Sequence, residues 1–184
     1  AIEGDDRVRQ TLEFAGPGTP QIIIDEDINF YKERKLRVLN GTHTLTMPLG
    51  YLLGLETVAD EMQHPTMSKF VESLMLNEIV PTVPDYGIPG MDKADIVQFA
   101  HDVQDRFRNP YLDHLLLNIS LQETAKLQAR NVDTILRYYV QFNSVPKLIS
   151  LGFAAYLLFM KAIRQEGGQF FGELSVGDGI VTYP

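Results

Sequence analysis

The 184-residue sequence contains no cysteine and no tryptophan. The absence of cysteine excludes thiol catalysis, thiolate metal sites and disulfide bonds, and it fits a reducing compartment, so we expect a cytoplasmic protein. Acidic side chains outnumber basic ones by 24 to 16, and this balance argues against general binding of nucleic acids. No G-x-G-x-x-G or G-x-x-x-x-G-K-[ST] motif occurs in the sequence. These two phosphate-binding loops are therefore excluded from the chain.

Long hydrophobic runs are also missing. The longest one, residues 148–160, includes Ser150 and Gly152 and is well short of the ~20 residues that a membrane span requires. It predicts a buried helix and no membrane association. The chain starts without methionine and without the basic and apolar regions of a signal peptide. We expect it to be part of a longer protein and to be truncated at its C-terminus.

Helical signals dominate the sequence after residue 34 and predict a mainly α fold. Asp92 is a typical N-cap, Gly54 a typical C-terminal residue and Pro146 a typical first-turn residue. Residues 1–34 are expected to be irregular, with a turn at 16–20 and a short β-like run at 21–24. Further predicted features are a loop at 81–90, a C-terminal turn at 176–179 followed by a β-like stub without a partner, and helices at 44–53, 57–62, 66–80, 92–106, 113–120, 122–142 and 146–165.

The densest group of polar residues lies at positions 32–43. Four of the six residues 32–37 are cations in an otherwise acidic chain. On an α-helix, at about 100° per residue, Asn40 and His43 lie about 140° and about 80° round from Lys35, so the three share one side unless Gly41 ends the helix.

This trio of side chains suits hydride transfer at a secondary alcohol. A lysine can act as general acid/base when neighbouring cations, here Arg34 and Arg37, and burial favour its neutral form. The Asn40 amide can donate to a developing oxyanion, and His43 can orient a hydroxyl. No metal is required for that chemistry. The alternative is ordinary structure, because a Lys/Arg-rich stretch is usually a solvated helix face and Asn-Gly is a common turn dipeptide.

Two separated motifs carry a family resemblance. K-L-R-V-L-N-G-T-H-T over residues 35–44 resembles the K-x-R-x-L-N-G-x-H-[ST] signature of the polyol-specific long-chain dehydrogenases, the mannitol dehydrogenase family. R-F-R-N-P-Y over residues 106–111 resembles the R-F-x-N-P segment of that family. The stretches at 54–58 and 77–82 also resemble that family, and the second of them is most similar to its tagaturonate reductase (altronate oxidoreductase) branch.

The resemblance implies a two-domain NAD-dependent enzyme acting on a small-molecule sugar acid. Residues 1–34 would lead in from an N-terminal Rossmann domain, which binds the NAD, and residues 35–184 would form a multi-helical C-terminal domain of the 6-phosphogluconate dehydrogenase C-terminal-like type. By position, Lys35 matches the family's acid/base, Asn40 its oxyanion-stabilising asparagine and His43 its hydroxyl-orienting histidine.

The second motif supplies expected substrate-binding residues, which are Arg106, Asn109 and His114. Either Arg106 or Arg108 is expected to bind the substrate carboxylate in a bidentate manner. The alternative for Arg106 and Asn109 is a helix-end cation followed by a cap before proline.

Other features have ordinary structural interpretations. Lys126 and Arg130 predict a solvated face, whereas Tyr138, Tyr139, Phe142 and the run 148–160 predict core. No ligand spacing supports a metal site made of Glu78, His101 and His114. Fructuronate reductase, mannitol dehydrogenase and mannitol-1-phosphate dehydrogenase are alternative activities, and a non-catalytic helical interaction domain is the alternative of another class.

Overall fold

The computed structural model describes residues 1–12, 14–15, 19, 22–87, 92–176 and 179–184. Several predicted features fall partly outside these ranges. They are the turn at 16–20, of which Thr19 alone is described, the β-like run at its first residue, positions 88–90 of the loop, and positions 177–178 of the C-terminal turn.

Helices form most of the described chain, which confirms the mainly α fold. A two-residue strand β1 (Ile2–Glu3) pairs in parallel with β2 (Ile24–Asp25). The helical elements are α1 (Asp6–Thr11), α2 (Asn29–Arg34), a first π-helical segment (Lys35–Gly41), α3 (Thr42–Leu52), α4 (Val58–Gln63), α5 (Pro65–Ser73), a second π-helical segment (Leu74–Ile79), a 3-10 turn (Val80–Thr82), α6 (Lys93–Phe107), α7 (Leu116–Ile119), α8 (Glu123–Phe142) and α9 (Lys147–Phe159).

Helix α3 is the centre of the core. Its residues from Thr42 to Pro48 are all buried, and α7, α8 and α9 pack around it. Helix α9 approaches α3 closely at Gly152, where a Cβ atom would lie 2.7 Å from the carbonyl oxygen of Leu45. Small residues thus let two helices cross at short range and hold the beginning of α3 in a fixed place.

Capping residues close to the helix ends determine where several helices begin or end. The Asp92 side chain accepts hydrogen bonds from the backbone N–H groups of Ala94 and Asp95, as its N-cap role predicts. Thr57 and Asp60 form a reciprocal capping box at the start of α4. Gly54, just after α3, has a φ of +80°, which glycine adopts without strain.

Other boundaries differ from the prediction. Residues 6–11 and 29–34 are helical rather than irregular. The Asp5 side chain caps α1, and α2 continues without a break into the first π-helical segment. The helix predicted at 113–120 is reduced to the four residues of α7. The helix predicted at 146–165 ends at Phe159, and residues 164–166 are a strand.

The β-like segment at the C-terminus, predicted to have no partner, pairs with a neighbouring strand. Strands β3 (Arg164–Glu166), β4 (Gln169–Val176) and β5 (Gly179–Tyr183) form an antiparallel sheet in that order. Tyr183 is buried, stacks on the ring of Phe159 at 4.7 Å and donates its hydroxyl proton to the carbonyl oxygen of Phe159 at 2.9 Å. The sheet is therefore attached to the end of α9.

The prediction of core for the apolar residues of α8 and α9 is only half right. Ile149, Ala155, Tyr156 and Phe159 are buried. The exposed apolar residues on the same two helices, or directly after them, include Leu136, Tyr139, Val140, Phe142, Leu151, Phe153, Leu157, Leu158 and Met160. Among the described residues, no helix combines the length and apolarity that crossing a bilayer demands.

Candidate functional site

The first π-helical segment contains two of the three expected catalytic residues. Lys35 begins it, Asn40 is its penultimate residue, and His43 follows in the first turn of α3. In a π-helix the backbone hydrogen bonds connect residues five positions apart. Asn40 therefore lies about one helical turn beyond Lys35 on the same side, instead of about 140° away from it around the helix axis. The helix does not end at Gly41, whose backbone is helical. All three side chains are thus carried by one continuous helical backbone.

Arg37 ties this segment to α8. Its buried guanidinium donates to the carbonyl oxygens of Ala129 and Arg130, at 3.1 and 3.0 Å, and to the carboxylates of Glu33 and Asp133, at 3.1 and 2.9 Å. Burial alone would raise the pKa of Glu33, but hydrogen bonds from Arg37 and Arg137 outweigh it and lower that pKa. The ionised network fixes the position of the segment.

Two further side chains of α8 contact the turn that contains Asn40. Asn131 donates from Nδ2 to the carbonyl oxygen of Gly41 at 3.1 Å. Arg130 donates from Nη1 to Thr44 Oγ1 at 3.1 Å and approaches the carbonyl oxygen of Asn40 at 3.5 Å. A Cβ on Gly41 would lie 3.0 Å from Asn131 Nδ2, so glycine allows this close approach.

The expectation that Arg34 and Arg37 act as uncompensated cations beside Lys35 is wrong. Arg34 forms an ion pair with Asp95, and its guanidinium lies 4.4 Å from the ring centroid of Phe99. Arg37 is paired with Glu33 and Asp133. Lys35 itself is exposed rather than buried between its leucine neighbours.

His43 lies at a small cavity. The cavity has a volume of about 130 Å³, and its lining residues are Leu39, His43, Val58, Arg106, Phe107, Leu112 and His114. The His43 ring stacks on Phe107 at 4.1 Å and meets the His114 ring edge-on at 5.0 Å. Burial, together with electrostatic interactions with His114, Arg130 and Lys126, lowers the pKa of His43 to about 3. The imidazole is therefore neutral at pH 7.

The Nδ1 atom of His43 is buried and has no hydrogen-bond partner among the described residues. A buried polar atom without a partner is uncommon and costs stability. A neutral imidazole at a cavity wall can exchange a hydrogen bond with a hydroxyl group, which is the role that the sequence predicts for His43.

The second motif reaches the same cavity only in part. Arg106 and His114 line it together with His43. Asn109 does not line it, and its Oδ1 accepts from the backbone N–H of Tyr111 at 3.0 Å, as in a turn. Arg108 does not line it either, because its guanidinium is paired with Asp105 at 3.0 Å.

Helix α8 adds residues that the sequence analysis placed on a solvated face. Lys126 and Arg130 are half-buried, and their charges act on His43. Glu123, one turn before Lys126, is buried, and burial raises its pKa to about 7. The available signal was the spacing of these polar residues with Leu127, Asn131 and Thr134, which puts them near the buried side of an amphipathic helix.

Within the described ranges, no cluster of three or more histidine or carboxylate side chains could hold a metal ion. Glu78 has a different role, since its carboxylate accepts from the backbone N–H groups of Leu148 and Ile149 at 2.9 and 2.8 Å. It caps the beginning of α9.

Comparison with protein families gives a match over residues 27–173 to the model described as the mannitol dehydrogenase C-terminal domain. Among curated proteins, the altronate oxidoreductase of Bacillus subtilis (strain 168) is 36% identical over 158 residues, covering 86% of this chain and 31% of the relative. The altronate oxidoreductase of Pectobacterium carotovorum subsp. carotovorum (strain PC1) is 36% identical over 161 residues, covering 88% and 30%. The chain thus spans about three tenths of the length of these relatives.

Among solved structures, Pseudomonas fluorescens mannitol 2-dehydrogenase, in a ternary complex with NAD and D-mannitol, has a TM-score of 0.65 at 25% identity, covering 76% of this chain and 27% of that one. A substrate-free D-sorbitol dehydrogenase has a TM-score of 0.67 at 22% identity, covering 76% and 28%. The second likeness bears on the fold alone.

Proposed function

The chain belongs to the mannitol dehydrogenase C-terminal domain family, and from that premise we propose that it is the catalytic domain of an NAD-dependent sugar-acid oxidoreductase. The proposed reaction interconverts D-altronate and D-tagaturonate. The observation that carries the proposal is the helical backbone from Lys35 to His43, which presents in succession an exposed lysine, an asparagine and a neutral histidine whose Nδ1 has no hydrogen-bond partner in the described part of the chain. The similarity to altronate oxidoreductases supports the substrate class.

Each of the three residues has a role in this reaction. Lys35 takes the hydroxyl proton of the alcohol and, in the reverse direction, returns it to the alkoxide. The Asn40 amide donates to the developing oxyanion. His43, neutral at pH 7, orients the hydroxyl from the cavity wall, where Arg106 and His114 contact the rest of the substrate. Asn109 lies in the turn that follows α6, and its proposed contribution is to set the position of that turn relative to the substrate.

NAD would accept the hydride. The chain has no glycine-rich phosphate-binding motif, so we assign the dinucleotide to an N-terminal Rossmann domain of the longer protein. That domain and the substrate are the proposed partners. Polarisation by Asn40 and proton transfer by Lys35 suffice without a metal ion.

The first test is a substrate panel with the full-length protein. We expect NAD-dependent oxidation of D-altronate, measured by NADH absorbance. D-mannitol, D-mannonate and mannitol 1-phosphate represent the sister activities, and a preference for any of these would replace the proposed substrate. Absence of turnover with the whole panel would favour a non-catalytic interaction domain.

The second test is the variant Lys35→Ala in the same protein. Loss of a general acid/base is expected to lower kcat by about 10²- to 10⁴-fold, while KM changes by no more than a few-fold. Lys32→Ala is the matched control, because Lys32 is an exposed lysine on α2, three residues before Lys35. Unchanged turnover in Lys35→Ala would remove Lys35 from the mechanism.

A further inference from the structure

Helix α8 presents two cations to the proposed site. Lys126 and Arg130 are four residues apart and share a face of the helix. Arg130 contacts the catalytic turn directly, through Thr44 Oγ1 at 3.1 Å and the Asn40 carbonyl oxygen at 3.5 Å. Both charges act on His43. The face is therefore part of the wall around the proposed catalytic residues.

These two cations differ from their neighbours in charge balance. Arg34, Arg37 and Arg137 each form an ion pair with a carboxylate. Arg130 and Lys126 form none within the described part of the chain, and the Lys126 ammonium instead donates to the carbonyl oxygen of Ile119 at 2.6 Å.

The acid that faces them does not supply the missing charge partner. Neither carboxylate oxygen of Glu123 has a hydrogen-bond partner among the described residues, and burial raises its pKa to about 7. At neutral pH this carboxyl group is partly protonated. A half-buried guanidinium whose charge is not compensated is unfavourable unless an anion completes the site.

We propose that Arg130, assisted by Lys126, binds the carboxylate of the sugar-acid substrate. The inference rests on the proposed function and deepens it, because it names the group that selects an acid over a neutral polyol. Arginine suits the role, since its remaining N–H donors can meet a carboxylate in a planar, charge-assisted arrangement.

This assignment differs from the expectation drawn from the sequence, which gave the carboxylate to Arg106 or Arg108. The Arg108 guanidinium is already paired with the carboxylate of Asp105. Arg106 lines the cavity but is exposed at the end of α6, where water already solvates its charge. Arg106 remains suited to contacts with substrate hydroxyls. A bound anion would stabilise Arg130 more, because the half-buried Arg130 guanidinium has no carboxylate partner among the described residues.

The test uses the full-length enzyme and the variants Arg130→Met and Arg130→Lys. Substrate binding is measured as KM for D-altronate and as the inhibition constant of D-altritol, which has a neutral CH₂OH group in place of the carboxylate. We expect Arg130→Met to raise KM for D-altronate by about 10- to 100-fold. The altritol constant should change by less than about threefold, and Arg130→Lys should fall between the two.

Lys69→Met is the control for loss of one positive charge, because Lys69 is exposed on α5. Equal losses for altronate and altritol in Arg130→Met would show that Arg130 only supports the turn at Asn40, and would overturn the inference. An unchanged KM for altronate would overturn it as well. The wild type separates this result from the proposed function: without altronate oxidation by the wild type the function itself fails, before any variant is compared.

Discussion

At the scale of single residues, Glu61 is the most unusual ionisable group outside the proposed site. It is buried between α4 and α3, where Thr46 donates to its Oε2 at 3.3 Å and its Oε1 lies against Gly50 without a hydrogen-bond partner among the described residues. Burial raises its pKa from 4.5 to about 8. The folded protein therefore retains the proton through a pH range in which the unfolded chain has released it.

This shift predicts a loss of stability as pH rises. Between about pH 4.5 and pH 8 the folded state binds more protons than the unfolded state, so the free energy of unfolding contributed by Glu61 falls through that window. Glu61→Gln removes the ionisation, and between pH 5 and pH 8 its Tm should fall less than the wild-type Tm, by roughly 7 to 14 °C. Thermal unfolding at both values measures this. Glu72→Gln, at an exposed position of α5, should behave as the wild type, and identical pH dependence in all three proteins would contradict the prediction.

The sequence could predict only those features of the site that depend on residues close together in the chain. The order and identity of Lys35, Asn40 and His43 were visible because they lie within nine consecutive residues. Glu33 is a local partner of Arg37, but the other carboxylates that pair with Arg34 and Arg37, Asp95 and Asp133, lie 61 and 96 positions further along the chain. Such pairs depend on tertiary packing, so the basic cluster could be read from the sequence but its charge balance could not.

At the scale of elements, the clearest predictions came from capping residues, because a cap acts on its own helix end. Asp92 and Gly54 marked α6 and α3 correctly. The π-helical segment at Lys35–Gly41 had no such local signal, since it is held by contacts with α8: the Arg37 guanidinium donates to the carbonyl oxygen of Ala129, and the Asn131 amide donates to that of Gly41. The C-terminal sheet was missed for a similar reason, because β5 becomes a strand by pairing with β4.

Glu78 supplies a test of capping between distant elements. Its carboxylate accepts two backbone N–H groups at the beginning of α9, and charged hydrogen bonds of this kind contribute about 2 kcal/mol in total. Glu78→Ala should therefore lower Tm by about 4 to 8 °C in thermal unfolding. The comparison variant is Glu72→Ala, which removes an exposed carboxylate from the preceding helix and should change Tm by about 1 °C or less. Equal melting of the two variants would mean that the cap contributes nothing.

At the scale of the whole molecule, the apolar surface explains where the core prediction failed. The pattern of α9 is apolar on nearly all sides, which predicts complete burial. In the described chain, one side of α9 packs on α3, while Leu151, Leu157 and Leu158 remain exposed, as do Leu136 and Val140 on α8. Periodicity reports that a side chain avoids water, but it does not report which part of a protein covers it.

The proposed position of the dinucleotide site outside this chain predicts that the isolated 184-residue chain is inactive. The proposed acid/base, the oxyanion-stabilising Asn40 and the proposed carboxylate-binding groups lie within it, but the proposed dinucleotide site does not, and hydride transfer needs both in one molecule. We expect no NADH consumption above background when the purified chain is mixed with NADH and D-tagaturonate, under conditions in which the full-length protein turns over. Circular dichroism of the same sample should show helix, so that inactivity is not the result of unfolding. Measurable turnover by the folded chain alone would overturn the proposed assignment of NAD to a separate N-terminal domain, because it would place a functional nicotinamide site within this chain.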